Sequence, residues 1–547
     1  MNTFSAFMEK KCANCDSEFV VDDSDLQFLD KISPVIGGKK CDVVAPKMCP
    51  ACRMQRRMAF RNQSSLYHRN CDAADKNTLS MYREEVSFPV YSPDEWWGSK
   101  WEAKDFGVDF DFNRPFFEQF IELRDTVPHL ALVSQANINC DYCNVVGHSK
   151  SCYLIYGSIE CEDCYYGNPY SCRQCVDSFL LRNSEICLEC VDSNKLYDCS
   201  FCQNCSNSSG LKFCFDINNS QDCFACAGLN HKQYCILNKQ YVKEEYENIL
   251  SDIDLTNETQ FSKVMSQFND LKQGVPHRYY VGTNNEKVSG DYVFNSKDCK
   301  EIYGAEECQD VSYSFQLLKV NDSMDLTVGE CGELLYEVSA FYDRVTNVIL
   351  SYFCWGNVHD LIYCGQCTRN VNNCFGCVGL KNAEYCILNK QYTKEEYEEM
   401  VPKIIEHMKD TGEWGEFFPM SVSPFAYNET IASEFFPMEK ENVLKRGWDW
   451  FDDAGLQGDV PGDARVCEVT GALFRVIPGE QKIYEHFKVR LPNRSPNQRH
   501  RDRIALRNPM KLYERVCDKC SVDVQTTYSS EGKEKIYCEE CYLKEVY

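Results

Sequence analysis

Histidine is scarce in this sequence, nine in 547 residues, and the nine are scattered without metal-site spacing. No His-Glu-x-x-His pair, Walker A loop, Gly-x-Gly-x-x-Gly turn or Gly-x-Ser-x-Gly elbow occurs, so the commonest catalytic frames are missing. Basic charge is also in deficit. With 58 Lys and Arg against 83 Asp and Glu, the net charge is −25, which excludes a chain coated in nucleic acid and leaves only local basic patches for phosphate. No uninterrupted apolar run approaches the roughly 18 residues of a membrane span. The first ten residues, Met1 to Lys10, hold no apolar core of signal-peptide length. The expectation is a cytoplasmic protein with no membrane partner and no evident small-molecule substrate.

Cysteine, by contrast, is abundant: 36 residues. In a long chain without an export signal, Cys-x-x-Cys pairs point to metal thiolates and reduced thiols rather than to a disulfide framework. Near one end stand Cys12, Cys15, Cys49 and Cys52; near the other, Cys517, Cys520, Cys538 and Cys541. Each pair makes a knuckle, and two knuckles supply four sulfurs to one tetrahedral ion. Two structural zinc sites are expected.

The two ends also read as copies of one module. At an offset of 446 residues, Arg57-Met-Ala-Phe-Arg61-Asn62 falls on Arg503-Ile-Ala-Leu-Arg507-Asn508, and Leu66-Tyr67-x-Arg69-x-Cys71-Asp72 falls on Leu512-Tyr513-x-Arg515-x-Cys517-Asp518. Metal ligands are lost in complementary fashion. Cys49 and Cys52 face Ser495 and Gln498, with Cys467 a remnant, while Cys520, Cys538 and Cys541 face Ala74, Ser92 and Glu95. Both copies keep arginines at i, i+4 and i+8, namely Arg53, Arg57, Arg61 and Arg499, Arg503, Arg507. That spacing lines one helix face, with Pro509 ending the second helix after Asn508. Guanidinium forks match phosphate oxygens. The competing reading is a clamp on carboxylates, either Asp72 and Asp518 or the acidic remainder of the chain.

A second duplication lies inside, at an offset of 151: Cys223-Phe-Ala-Cys226-Ala-Gly228-Leu229 against Cys374-Phe-Gly-Cys377-Val-Gly379-Leu380. Tyr234-Cys235-Ile-Leu-Asn238 likewise matches Tyr385-Cys386-Ile-Leu-Asn389, each running into a helix, with Thr393 and Glu396 as a capping box. Short apolar segments recur about every 9–12 residues, as coils of a β-solenoid would. A β-sandwich-like middle is the alternative. Pairs such as Cys140/Cys143 and Cys187/Cys190 have chelating spacing, yet i and i+3 on a straight strand face opposite ways. Stacked thiols packing as small hydrophobes and further zinc both remain open. An aromatic stretch leads into a helix capped by Asn113, with Phe116, Phe120, Leu123 and Val127 as its apolar face.

The fold class that follows is mainly β with short helices, zinc-ribbon or treble-clef modules flanking a duplicated cysteine-rich β-solenoid. Its domains are an N-terminal zinc module (1–97), an aromatic connector and helix (98–130), solenoid repeat 1 with closing helix (131–257), repeat 2 with closing helix (276–411), an aromatic connector (412–460) and a degenerate C-terminal zinc module (461–547).

Cys49-Pro-x-Cys-Arg53-x-Gln-Arg-Arg57, the Cys-x2-Cys-x17-Cys-x2-Cys ending, Cys374-Phe-Gly-Cys-Val-Gly-Leu and Glu413-Trp-Gly-Glu-Phe-Phe-Pro together resemble a family of zinc-binding proteins from candidate-phyla-radiation (Patescibacteria) bacteria. The resemblance spans essentially the whole chain. It implies treble-clef or zinc-ribbon ends and a bacterial cytoplasmic location, and attaches no activity. Function is expected to be that of a non-enzymatic zinc-binding scaffold with protein partners. The alternatives are RNA or DNA binding through the arginine helices, and a thiol- or metal-dependent enzyme.

Overall fold

The computed structural model describes residues 7–452 and 464–546. It is mainly β, and its chain groups into two compact units that do not follow chain order. One unit joins residues 1–131 to 281–454; the other joins 132–280 to 455–547. Each therefore combines one terminal module with one half of the duplicated middle: the N-terminal module with the second half, the C-terminal module with the first.

The middle of each unit is a ladder of parallel strands in which every strand pairs with the next in sequence. In the 132–280 half the register mostly advances by twelve residues: Cys175 lies beside Cys187, Cys187 beside Cys199, Cys202 beside Cys214, and Cys214 beside Cys226, with an eleven-residue step from Tyr165 to Val176. The backbone explains how so short a rung is possible. Left-handed φ values recur at every third residue over long stretches, as at Asn139, Tyr142, Val145, His148, Ser151 and Leu154, and again at Asp310, Tyr313, Gln316, Lys319, Asp322 and Asp325. Each left-handed residue turns a corner, and the residue after it is carried to the buried face. Non-glycine residues adopt this conformation at a cost, so it persists because the stacked rungs hold it.

Period three thus governs the core. Cys187, Cys190, Leu196, Cys199, Cys202, Cys205, Leu211 and Cys214 form one buried line, every third residue apart from Ser193 and Ser208, which are themselves buried. Serines serve the same line. Ser193 donates to the Val191 carbonyl and accepts from the Cys205 amide one rung later, and Ser184 does the same between Arg182 and Leu196. Thiols sit alike: Cys190 donates to the carbonyls of Leu188 and Cys199. Where register slips, glycine is required. A Cβ on Gly290 would lie 1.8 Å from the Ile302 carbonyl oxygen, at the irregularity between Val288 and Gly290.

In the 281–454 half, three successive rungs carry thirteen residues instead of twelve, Gly332 to Val345, Val345 to Val358, and His359 to Asn372. Asp177 and Glu189 match Asp325 and Glu337 at an offset of 148; the longer rungs then widen the offset to the 151 that relates Cys223 to Cys374. Helices Lys243–Ser251 and Lys394–Asp410 follow the ladders, the second with the capping box of Thr393 and Glu396.

Contrary to the expectation from sequence, helix Phe116–Thr126 is not capped by Asn113. It begins after Pro115, whose side chain can accept nothing. The Glu413 carboxylate takes the orphan donors instead, accepting from the Phe116 and Phe117 amides at 2.9 and 2.7 Å. A carboxylate at a helix N-terminus is favoured by both hydrogen bonding and dipole. The aromatic connectors dock in the same unit, with Phe120 and Phe418 rings 4.6 Å apart.

Candidate metal centres and arginine clamps

Both modules run hairpin, helix, helix, hairpin. In the N-terminal one, strands Met8–Lys11 and Glu18–Val21 enclose the first knuckle, and helix Pro50–Met58 starts at Cys49 with proline in its first turn. Proline there forfeits only an amide that has no intrahelical partner. In the C-terminal one, strands Tyr513–Val516 and Asp523–Thr526 enclose a knuckle and helix Glu539–Val546 carries Cys541 in its first turn.

This local geometry gathers each predicted quartet. The ligand atoms of Cys12, Cys15, Cys49 and Cys52 lie within 4.8 Å of one another, as do those of Cys517, Cys520, Cys538 and Cys541. Among the described residues these are the two groups of three or more such donors. Sulfurs of Cys15 and Cys49 are 3.8 Å apart, and those of Cys520 and Cys538 are 3.7 Å apart. A tetrahedron with metal–sulfur bonds of about 2.3 Å has edges of about 3.8 Å, so the spacing fits one tetrahedral ion and not a disulfide. Amides of Asn14 and Cys49 donate to the Cys12 sulfur at 3.5 and 3.3 Å, and the Cys538 amide donates to Cys517 at 3.3 Å. Such donors favour thiolate. Hydrogen bonding from Cys52 brings Cys49 down to about 4. Against the burial that would raise it, the Cys538 and Cys520 amides bring Cys517 down to about 6.

The lost sites keep their shape. Cys467 accepts the role of Cys12: its amide bonds to Ala472 across the hairpin as that of Cys12 bonds to Ser17. Ser495, in the place of Cys49, has become a helix cap whose side chain accepts from the Gln498 amide. None of the 36 cysteines is in a disulfide, and most of those in the ladders are buried, Cys331 being exposed and Cys140 half-buried.

The arginine stripes face inward. Arg53 meets Asp325 at 2.8 Å; Arg57 meets Asp325 at 3.1 Å and Glu337 at 2.9 Å; Arg61 donates to the Tyr342 hydroxyl at 2.6 Å. Arg56, which sequence reasoning passed over, joins them at 2.8 Å from Glu337 and 3.1 Å from Glu416. In the other unit Arg499 reaches Glu480 at 2.8 Å and also Asp177; Arg503 reaches Asp177 at 2.8 Å; Arg507 reaches Asp192 at 2.9 Å. These are the clamp partners: Asp325, Glu337, Asp177 and Asp192 come from the ladders, Glu480 from helix Pro478–Phe487 and Glu416 from the connector, while Asp72 and Asp518 face Arg69 and Arg515. So placed, the six guanidinium groups present no open face to an outside phosphate. The helices are also shorter than the stripes: they end at Met58 and Ile504, so Arg61 and Arg507 act from the following turn.

The two clamps correspond at their centres, although Arg61 meets the Tyr342 hydroxyl where Arg507 meets Asp192. Arg53 lies over Tyr313, whose hydroxyl donates to Asp25; Arg499 lies over Tyr166, whose hydroxyl donates to Glu480. The carboxylates Asp325 and Glu337, like Asp177 and Glu189, sit twelve residues apart on left-handed corners. Their spacing was the signal available in the sequence, visible only once the rung length is known. One substitution unbalances the copies. Arg56 corresponds to Asp502 at the 446 offset. Although burial opposes it, Glu337 is held below the usual range by Arg56, Arg57 and Arg53. Burial and then Asp177 push Glu189 up to about 7, with Arg503 and Arg499 opposing.

No family model matches the chain, and no curated protein matches it. Among solved structures, one similar chain is a candidate acetyltransferase from Desulfovibrio desulfuricans G20, at 10% identity and a TM-score of 0.11, over 44% of this chain and 63% of that one. The match thus spans less than two thirds of that protein, and a likeness this weak carries no argument. No helix of the described residues is long and apolar enough to cross a membrane.

Proposed function

We propose that this chain is a non-enzymatic, zinc-stapled scaffold. In this reading each quartet holds one zinc ion in a treble-clef setting, and four protein sulfurs leave no coordination position open for substrate. The ladders wind as β-solenoids, each twelve-residue coil having four three-residue sides, with cysteine packing as a small hydrophobe among the leucines and isoleucines of the lumen. Their outer faces are the surface offered to protein partners. The observation that carries the reading is the burial of both arginine stripes on ladder carboxylates, which turns the most basic part of the sequence into an internal fastening.

The test compares the native protein with Arg57→Gln and Arg503→Gln variants for zinc content, absorbance ratio at 260 and 280 nm, salt-dependent RNA binding and folding. A scaffold gives two zinc ions per chain and a protein-like ratio, and the substitutions cost stability. Co-purifying nucleic acid, with steeply salt-dependent affinity lost from variants that stay folded, would replace this reading with RNA binding.

A further inference from the structure

The ladder of the 132–280 unit begins at an edge. In its strand order Ser134–Gln135 is terminal, and the rung holding Cys140 pairs onward, through Asp141 and Tyr153. Ile138 beside it is 60% exposed. Consequently the first cysteines of the line are not enclosed on both sides like those that follow. Cys140 is half-buried while Cys152 and Cys164 are buried. Left-handed corners at Asn139 and Tyr142 (φ 52° and 54°) carry both Cys140 and Cys143 to the inward face, although residues three apart would diverge on a straight strand. The Cys140 and Cys143 thiols donate to the carbonyls of Ile138 and Asp141, and Cys140 packs against the buried line to which Cys143 belongs.

We propose that Cys140 and Cys143 form a redox-active dithiol at this open first rung, closed to an internal disulfide by low-molecular-weight disulfides. The chemistry needs a thiolate with a second thiol beside it. The Cys143 thiol, and then the Cys152 amide against burial, bring Cys140 down to about 6, while Cys143 is pushed up by that same hydrogen bond and by burial. Cys140, half-buried at the open rung, is the attacking sulfur, and Cys143, buried behind it, the resolving one. Cys140 thiolate attacks one sulfur of the external disulfide RSSR, forming Cys140–S–S–R and expelling RS−. Cys143 gives its proton to that RS− and attacks the Cys140 sulfur, forming the internal disulfide and expelling a second RS−, which takes up the proton Cys140 had released to solvent. Two thiols are oxidised and one disulfide is reduced to two thiols.

Exposure alone does not select this pair. Cys331 is also exposed, but burial of its sulfur and the neighbouring Glu330 push its thiol up, and it lies on a left-handed corner with its side chain outside the inward line. Cys15 and Cys520, exposed as well, belong to the metal quartets.

The test uses zinc-loaded full-length protein and one equivalent of 4,4′-dithiodipyridine. The segment between Arg124 and Lys150 holds Cys140 and Cys143 as its only cysteines, so its tryptic peptide reports on the pair alone. Native protein should release two equivalents of thiopyridone per equivalent of probe and yield that peptide two mass units lighter, restored by dithiothreitol. Cys143→Ser should stop at one equivalent, with the probe's half retained on Cys140. The proposal is overturned if the native peptide carries a stable mixed disulfide instead, or if the fast phase maps to Cys331 or to the quartets.

Discussion

Arg57 and Asp325, separated by 268 residues in sequence, meet at 3.1 Å with both side chains at 0% exposure. Glu337 closes the arrangement at 2.9 Å from the same guanidinium nitrogen. Removing one member of such a set leaves the others charged and dry. Arg57→Gln should cost about 3–5 kcal/mol, read from denaturant unfolding. An effect under about 1 kcal/mol would mean that the clamp is exchangeable with solvent.

The second clamp should depend on pH near neutrality. Glu189 is pushed up to about 7 from the usual 4.5 by burial and then by Asp177, with Arg503 and Arg499 opposing and Asp502 adding to the rise. A folded value above the unfolded one gives stabilisation that is complete below about 4.5 and is lost as pH rises through about 7. The opening free energy from hydrogen exchange in the 132–280 ladder, taken against intrinsic amide rates, should therefore fall between about pH 6 and about pH 8, by an amount on the order of 1–3 kcal/mol. Glu189→Gln should flatten the profile. Asp177, Arg499, Arg503 and Asp502 are the charges acting on it, so a profile unchanged in that variant would move the titration to one of them.

Chelation should strip both quartets and unfold the modules, since a structural zinc site contributes on the order of 10 kcal/mol. Cys520→Ser should lower metal content from two ions per chain to one. Cys187→Ser, on the buried ladder line, should leave metal content unchanged and lower stability alone. Loss of metal from the ladder variant would place a third site there.

Phe341 occupies the inward line directly over Gly329, twelve residues earlier. A Cβ on Gly329 would fall 2.4 Å from that ring, and one on Gly332 would fall 2.7 Å from it. Gly329→Ala should therefore destabilise by about 1–3 kcal/mol. Pairing it with Phe341→Leu should recover much of the loss, measured as a double-mutant cycle. Additive costs would show that the ring moves aside freely.

How legible all this was in the sequence varies with the range of the interaction. The quartets could be read because a Cys-x2-Cys knuckle is a local turn, and two such turns satisfy one ion whatever surrounds them. The duplications were legible because they are statements about residue order. The period of three in the ladder was hidden: it needs left-handed backbone at residues such as Leu154, Phe213 and Val328, which local propensity disfavours and only the stacked neighbours stabilise. The cap of helix Phe116–Thr126 was misassigned for a related reason, since its acceptor, Glu413, lies 296 residues from Phe117.

By itself, then, the sequence determined the two sets of four sulfurs, the twin modules and the doubled middle, because spacing and repetition survive without knowledge of the path between them. Tertiary structure alone decided which way the arginines point. Apart from Glu480, which lies in the same module as Arg499, the carboxylate partners of these stripes come from rungs more than 250 residues away, in the half of the middle that each module does not adjoin in the chain. A stripe on a helix specifies a face but not what that face will meet, and burial against Asp325 or Asp177 is a property of the packed chain.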